Sequence, residues 1–183
     1  MWPDRPRGPR GSELSAVKIT PTLTHVQASP FEETAFYAAI ARSAARALLI
    51  GRRAMAALGT PMGTYDYDFW LHPDDIETFN EAVAQFDLVP NRTAEAARSV
   101  GRYVLENSER VDVLVARQVS TVDGTPVRFD ELYARAHRFE VTAGAVIAVP
   151  TVSDLISTKR FAVRAKDLED LRLLEALRRE LGE

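Results

Sequence analysis

The segment Thr64-Tyr65-Asp66-Tyr67-Asp68-Phe69-Trp70-Leu71 constrains the fold more than any other part of the chain. Aromatic residues fill it and the turn residues Pro61-Met62-Gly63 precede it, which predicts a strand from Thr64 to Leu71. Strand side chains alternate between faces, so Asp66 and Asp68 are expected on one face and Tyr65, Tyr67 and Phe69 on the other. Two neighbouring carboxylates repel each other, and something positive should lie between them. A hard divalent cation with oxygen ligands, usually magnesium, is the simplest candidate. The plainer alternative is an edge strand with a solvated acidic face; the bulky apolar flanks favour a central strand instead. The aromatic side chains are expected to pack behind the sheet rather than to form a base-stacking platform.

A third carboxylate extends the pattern. Asp112 interrupts Arg110-Val111-Asp112-Val113-Leu114-Val115, which otherwise reads as a buried strand. An aspartate there is costly unless it is paired or bound to metal. The competing reading is a strand-end aspartate capped by Arg110 or Arg117. Upstream, the short strand Leu48-Leu49-Ile50 runs through Gly51 directly into a helix over Arg52 to Leu58 closed by Gly59. Glycine lets the backbone approach a ligand, and a helix start favours phosphate.

The rest of the chain alternates helices and strands, then clusters strands, then returns to helices, a pattern of the α/β or α+β class. Ser29-Pro30-Phe31-Glu32 reads as a capped helix start, with the helix running through Phe36, Ile40 and Ala44 to about Arg46. Pro73 opens an amphipathic helix through Ile76, Phe79, Val83 and Phe86. Strands are expected at about Gly101 to Glu106, Arg110 to Ala116 and Ala143 to Val149. Asp123-Gly124 marks a hairpin between Val119–Val122 and Pro126–Phe129. Ser153 is expected to cap a helix carrying Leu155, Ile156 and Phe161, and a last helix spans Asp167 to Leu181.

Several function classes are disfavoured. The chain has no cysteine and only His25, His72 and His137, so thiolate chemistry, cysteine-ligated zinc and a paired-histidine metal site are not expected. A net charge of -3 gives no global basic field for nucleic acid. Apolar residues make up 46% of the 183 residues, enough for one cored domain, and the apolar runs are strand-sized rather than membrane-sized. The basic, proline-rich start lacks a signal-peptide core. Residues 1–15 are expected to be a flexible tail, 16–152 the core and 153–183 a helical segment packed on it, in a cytoplasmic protein with no membrane partner.

Together, Ile50-Gly51-Arg52, the Asp66-x-Asp68 strand and Val111-Asp112-Val113 resemble the DNA polymerase beta-like nucleotidyltransferase superfamily. The likeness covers about Leu48 to Leu174. It is nearest to small bacterial nucleotidyltransferases related to type IV toxin–antitoxin toxins, whose lysine-bearing helix and K-D-x-x-D segment are similar to Lys159 and Lys166-Asp167-Leu168-Glu169-Asp170. The resemblance implies a minimal nucleotidyltransferase fold, a mixed central sheet flanked by helices with further helices at the C-terminus. It implies a magnesium-dependent enzyme moving a nucleoside monophosphate from an NTP, ATP among them, to a hydroxyl acceptor such as RNA (tRNA included), a protein or a small molecule, with a cognate antitoxin-like protein as partner. Asp66, Asp68 and Asp112 would hold two magnesium ions, and Asp112 would also orient or deprotonate the attacking hydroxyl. Gly51, Arg52, Thr64 and Lys159 would contact the nucleotide, although Thr64, like Asn107 and Ser108, carries no independent signal, and Lys159 reads equally well as a solvated helix lysine. Lys166, Asp167 and Asp170 read rather as a tie between helices. Arg52 departs from the family's small residue. It would either clamp the phosphates or fill the pocket, the second leaving a non-catalytic regulatory or interaction module. Arg53 is expected to point away, toward solvent or the acceptor.

Overall fold

The computed structural model describes residues 31–162, 164–165 and 167–182. The expected tail, the Ser29 cap, His25 and Lys166 lie outside them. The elements, in chain order, are α1 (Glu33–Arg42), β1 (Ala47–Ile50), α2 (Gly51–Ala57), β2 (Tyr67–Leu71), α3 (Ile76–Val83), β3 (Val89–Pro90), α4 (Ala94–Val100), β4 (Arg102–Glu106) and β5 (Arg110–Val115). They continue with β6 (Gln118–Ser120), β7 (Pro126–Arg128), α5 (Phe129–Arg135), β8 (His137–Thr142), β9 (Ala145–Val149), α6 (Val152–Lys159) and α7 (Asp167–Leu181). The fold is therefore α+β, with a mixed sheet in the order β3-β4-β5-β2-β1-β9-β8 flanked by helices. Among the described residues, only β2/β5 and β1/β9 pair in parallel. The Asp123-Gly124 hairpin forms a separate two-stranded ribbon, β6/β7.

Alternation along the central strands divides the sheet into two unlike faces. Tyr67, Phe69 and Leu71 of β2, Val111, Val113 and Val115 of β5, and Tyr103 and Leu105 of β4 are buried in one large core with Phe36, Ile40, Ile76, Phe79 and Val83. Burying a side chain of this size stabilises by roughly 1.5–3 kcal/mol, and this face fixes the register of the central strands. On the other face, Leu48, Trp70 and Ala148 pack under Val127 of the ribbon and Phe129 and Leu132 of α5. That cover stops at Trp70. Asp68 and Asp112 lie one pleat further along the same face, where the sheet is open.

Three local expectations change. β2 begins at Tyr67 rather than Thr64, because β1 ends at Ile50, opposite Asp68, and turns into α2. Without a partner on that side, Tyr65 is 92% exposed instead of packing behind the sheet. α1 stops at Arg42, because Ser43 leaves helical geometry and donates its hydroxyl to the Ile40 carbonyl at 2.7 Å. α6 is capped by Thr151 rather than Ser153; the Thr151 hydroxyl oxygen accepts from the Asp154 amide at 3.2 Å.

Candidate functional site

The open half of the sheet forms a cleft of about 620 Å³. It is lined by Asp66, Asp68 and Asp112, together with Arg52, Thr64 and Lys159. Asp68 and Asp112 are register partners on the parallel strands β2 and β5, so their side chains stand side by side on one face. Asp66 reaches the same cleft from a different position. It precedes β2 and is exposed, so strand alternation does not aim it. Two contacts fix its backbone: its N–H donates to Thr64 Oγ1 at 3.2 Å, and its carbonyl accepts from Arg53 Nε at 3.0 Å.

Gly51 borders Asp68 so closely that a Cβ there would lie 2.1 Å from Asp68 Oδ2. Its φ of 68° is in the left-handed region, which suits glycine. The glycine makes room for the carboxylate. Arg53 is not turned to solvent; its guanidinium lies 3.6 Å from the centroid of the Tyr67 ring and is ion-paired with Glu33.

The cations of the cleft are mostly committed. Arg52 Nε donates to both oxygens of Asp170, at 3.1 and 3.3 Å, so in this conformation Arg52 is braced toward α7. Lys159 Nζ donates to Asp170 Oδ2 at 2.6 Å and lies 3.7 Å from Asp167. Arg164 donates to Asp167 from its backbone N–H at 3.0 Å and from Nε at 2.9 Å. Burial would raise the carboxyl pKa of Asp170, but hydrogen bonds from Lys159 and Arg52 outweigh it and hold the group below the ordinary value. Asp167 behaves alike, with Arg164 outweighing burial. The hydrogen bond to Asp167 keeps Arg164 charged, and the fields of Asp68 and Asp170 add to it.

Arg110 forks onto Asp112, from Nε at 3.0 Å and from Nη2 at 3.1 Å, and also donates to Glu106 at 2.6 Å. The reading of Asp112 as capped by Arg110 is thus realised, while Arg117 pairs with Asp74 instead. Asp112 stays partly exposed, its side chain 41% accessible. Among the described residues, no group of three or more acidic or imidazole side chains stands arranged to hold a metal ion. Arg110 supplies positive charge to Asp112.

Residues that drew no attention in the sequence complete the cleft: Asn91, Arg92, Arg102, Tyr103 and Arg164. Arg102 was legible in principle, since β4 alternation puts it on the face of Val104, the register partner of Asp112.

No protein-family model matches the chain, and neither does any curated protein sequence. Among the solved structures similar to the chain are the following two. One is the crystal structure of a Thermotoga maritima protein assigned as a nucleotidyltransferase, with 17% identity and a TM-score of 0.48 over 80% of this chain and 88% of that one. The other is the solution structure of the antibiotic-resistance factor ANT(2'')-Ia, with 15% identity and a TM-score of 0.48 over 81% of this chain and 88% of that one.

Proposed function

We propose that the chain is a magnesium-dependent nucleotidyltransferase that moves a nucleoside monophosphate from an NTP to a hydroxyl acceptor. The observation that carries this reading is the Asp68–Asp112 register on adjacent parallel strands, with Gly51 clearing the space beside Asp68. Side-by-side carboxylates are a poor structural choice unless a cation joins them, and the fold keeps this half of the sheet face open.

The donor set fits magnesium in kind: carboxylate oxygens with room for water. Asp68 and Asp112, with Asp66 from the preceding loop, would hold the metal once Arg110 leaves Asp112. Bound there, magnesium would neutralise charge on the triphosphate and favour in-line displacement at the α-phosphorus. Asp112 is the residue suited to receive the proton of the acceptor hydroxyl. As the acceptor oxygen bonds to the α-phosphorus, the bond to pyrophosphate breaks and its electron pair leaves with pyrophosphate. Arg52, Lys159 and Arg164 would meet the departing charge; three cations against the Asp167 and Asp170 carboxylates leave a net positive wall. Thr64 and Gly51 act through geometry, the one holding the Asp66 amide and the other admitting Asp68.

The Arg110–Asp112 fork favours a second reading, a nucleotide-binding module that performs no transfer. The two separate in one experiment. Magnesium plus an NTP should raise the melting temperature, since a ligand bound only by the folded state stabilises it, and Asp68→Asn should remove that rise. Pyrophosphate release with an acceptor mixture then divides enzyme from module. A melting temperature indifferent to magnesium and NTP would defeat both readings.

A further inference from the structure

Six cationic side chains line the cleft, and four of them are spoken for: Arg52 and Lys159 by Asp170, Arg164 by Asp167, Arg110 by Asp112. Arg92 and Arg102 are different. Among the described residues neither has an ion-pair or hydrogen-bond partner. Both line the same cleft. Beyond β3 the chain stays bonded to β4, with the Asn91 N–H donating to the Val104 carbonyl at 2.9 Å and Asn91 Oδ1 accepting from the Val104 N–H at 3.0 Å. Arg92 follows one residue later along that edge, and Arg102 stands two residues from Val104 on its face of β4.

The strand order gives these two arginines a direction. Across β4-β5-β2-β1 the cleft runs from Arg102, past Asp112 and Asp68, to the Gly51 junction beside Arg52. Adjacent strands are about 4.8 Å apart, so β4, which carries Arg102, lies roughly 10 Å from β2, which carries Asp68, and Arg92 follows β3, one strand further out. An in-line displacement needs its entering and leaving oxygens on opposite sides of phosphorus. With pyrophosphate leaving toward Arg52, Lys159 and Arg164, the attacking hydroxyl arrives from the Arg92/Arg102 side.

We propose that Arg92 and Arg102 form the acceptor subsite, and that the acceptor carries a phosphate close to its reacting hydroxyl. This rests on the nucleotidyl-transfer reading above. Guanidinium groups match phosphate oxygens in bidentate fashion and keep their charge at any working pH. Two arginines without a partner among the described residues favour an anionic acceptor over a neutral one, and a cationic one is repelled. The step balances as ordinary transfer: the acceptor O–H gives its proton to Asp112, a new O–P bond forms, and pyrophosphate departs with the old one. The phosphate can belong to the end of a nucleic-acid strand or to a small phosphorylated alcohol; the chemistry that Arg92 and Arg102 recognise is the same.

The test uses the intact protein and direct binding. Probes are a fluorescent single-stranded RNA octamer with a free 3′-hydroxyl, ribose 5-phosphate, and unphosphorylated ribose. A non-hydrolysable NTP with magnesium reports the other wall. Both arginines are exposed, so Arg92→Ala/Arg102→Ala should melt at the wild-type temperature. The double variant should bind the preferred phosphorylated probe about tenfold more weakly or worse, as expected for charged hydrogen bonds lost, while NTP affinity stays within about twofold. RNA binding without ribose 5-phosphate binding, or the reverse, upholds the proposal and identifies the source. Equal binding of ribose and its phosphate, or unchanged probe affinity in the double variant, overturns it. So does an equal loss of NTP affinity, which would make this wall the triphosphate site. Wild-type protein that ignores NTP but binds a phosphorylated probe through the two arginines would remove the transfer reading and leave the phosphate subsite standing.

Discussion

At Gly51 one missing carbon governs the cleft. An added Cβ would lie 2.1 Å from Asp68 Oδ2, 2.8 Å from Cγ and 2.9 Å from Cβ, so swinging the carboxylate aside does not relieve the clash. Gly51→Ala therefore carries two costs: about 1–2 kcal/mol for left-handed backbone, and the displacement of Asp68. The Asp68→Ala background removes the carboxylate part of the second cost, leaving only the 2.9 Å Cβ contact, and keeps the first. Thermal or urea unfolding of the four proteins should give a clearly non-additive cycle, with Gly51→Ala milder when residue 68 is alanine. Additive effects would mean that Gly51 and Asp68 do not constrain each other. Sequence reasoning picked out Gly51, but for another cause: a strand-glycine-helix junction suggests backbone approach to a phosphate, and nothing local reveals a carboxylate folded against it. Asp68 and Asp112 were legible because strand period and burial agree. Asp66 lines the same cleft but lies before the strand on which that logic put it, since alternation says nothing of where a strand loses its partner.

At the scale of elements, α6 and α7 are joined to the start of α2 by buried charge rather than by apolar contact alone. Asp170 is 1% exposed and receives Lys159, 12% exposed, and Arg52, 33% exposed. Removing one partner of a buried pair leaves the others uncompensated, at about 3–5 kcal/mol. Lys159 keeps Asp167 at 3.7 Å and Arg52 is partly hydrated, so Asp170→Asn should cost about 3 kcal/mol, at the lower end of that range. Urea unfolding measures it, and amide exchange should show α7 loosening first. A cost below about 1 kcal/mol would show that apolar packing at Leu174 docks α7 and the charges are incidental. The expected tie through Asp167 and Asp170 is present. Elements that escaped the sequence were short: α4 and α5 have seven residues each and β3 has two. β8 is an edge strand, largely accessible, whose polar alternation carries little hydrophobic signal. Such pieces owe their form to neighbours already in place, not to a period of their own.

Across the whole molecule the two ends of the central strands hold opposite kinds of charge chemistry. At the end away from the cleft, His72 closes β2 and is 1% exposed. Its Nδ1 faces Arg46 Nη2 at 2.7 Å and its Nε2 faces Arg117 Nη1 at 2.8 Å. Asp74 and Asp130 approach from farther off, at 3.7 and 3.9 Å, and Asp75 grips Arg46 at 2.7 Å. Burial first, then the fields of Arg46 and Arg117, push the His72 pKa down, so the folded protein holds this imidazole neutral. The unfolded chain protonates it at about 6.5. Below that pH the unfolded state therefore binds the extra proton, and folding stability falls as pH drops through the window between the unfolded value and the lower folded one. The carboxylates act in a separate window. Asp75, Asp167 and Asp170 have depressed folded values, so their contribution is present above the unfolded value of about 3.9 and is lost only as pH falls further. Urea unfolding from pH 7.5 to 3 should accordingly lose stability in two stages, the first with a slope of up to about 1.4 kcal/mol per pH unit. Gln in place of His72 can still accept from an arginine but does not titrate. His72→Gln should flatten the first stage and leave the second in place. A variant that keeps the loss setting in below about pH 6.5 would assign that titration to another group, and His72 would then be a packing residue without a part in the acid response.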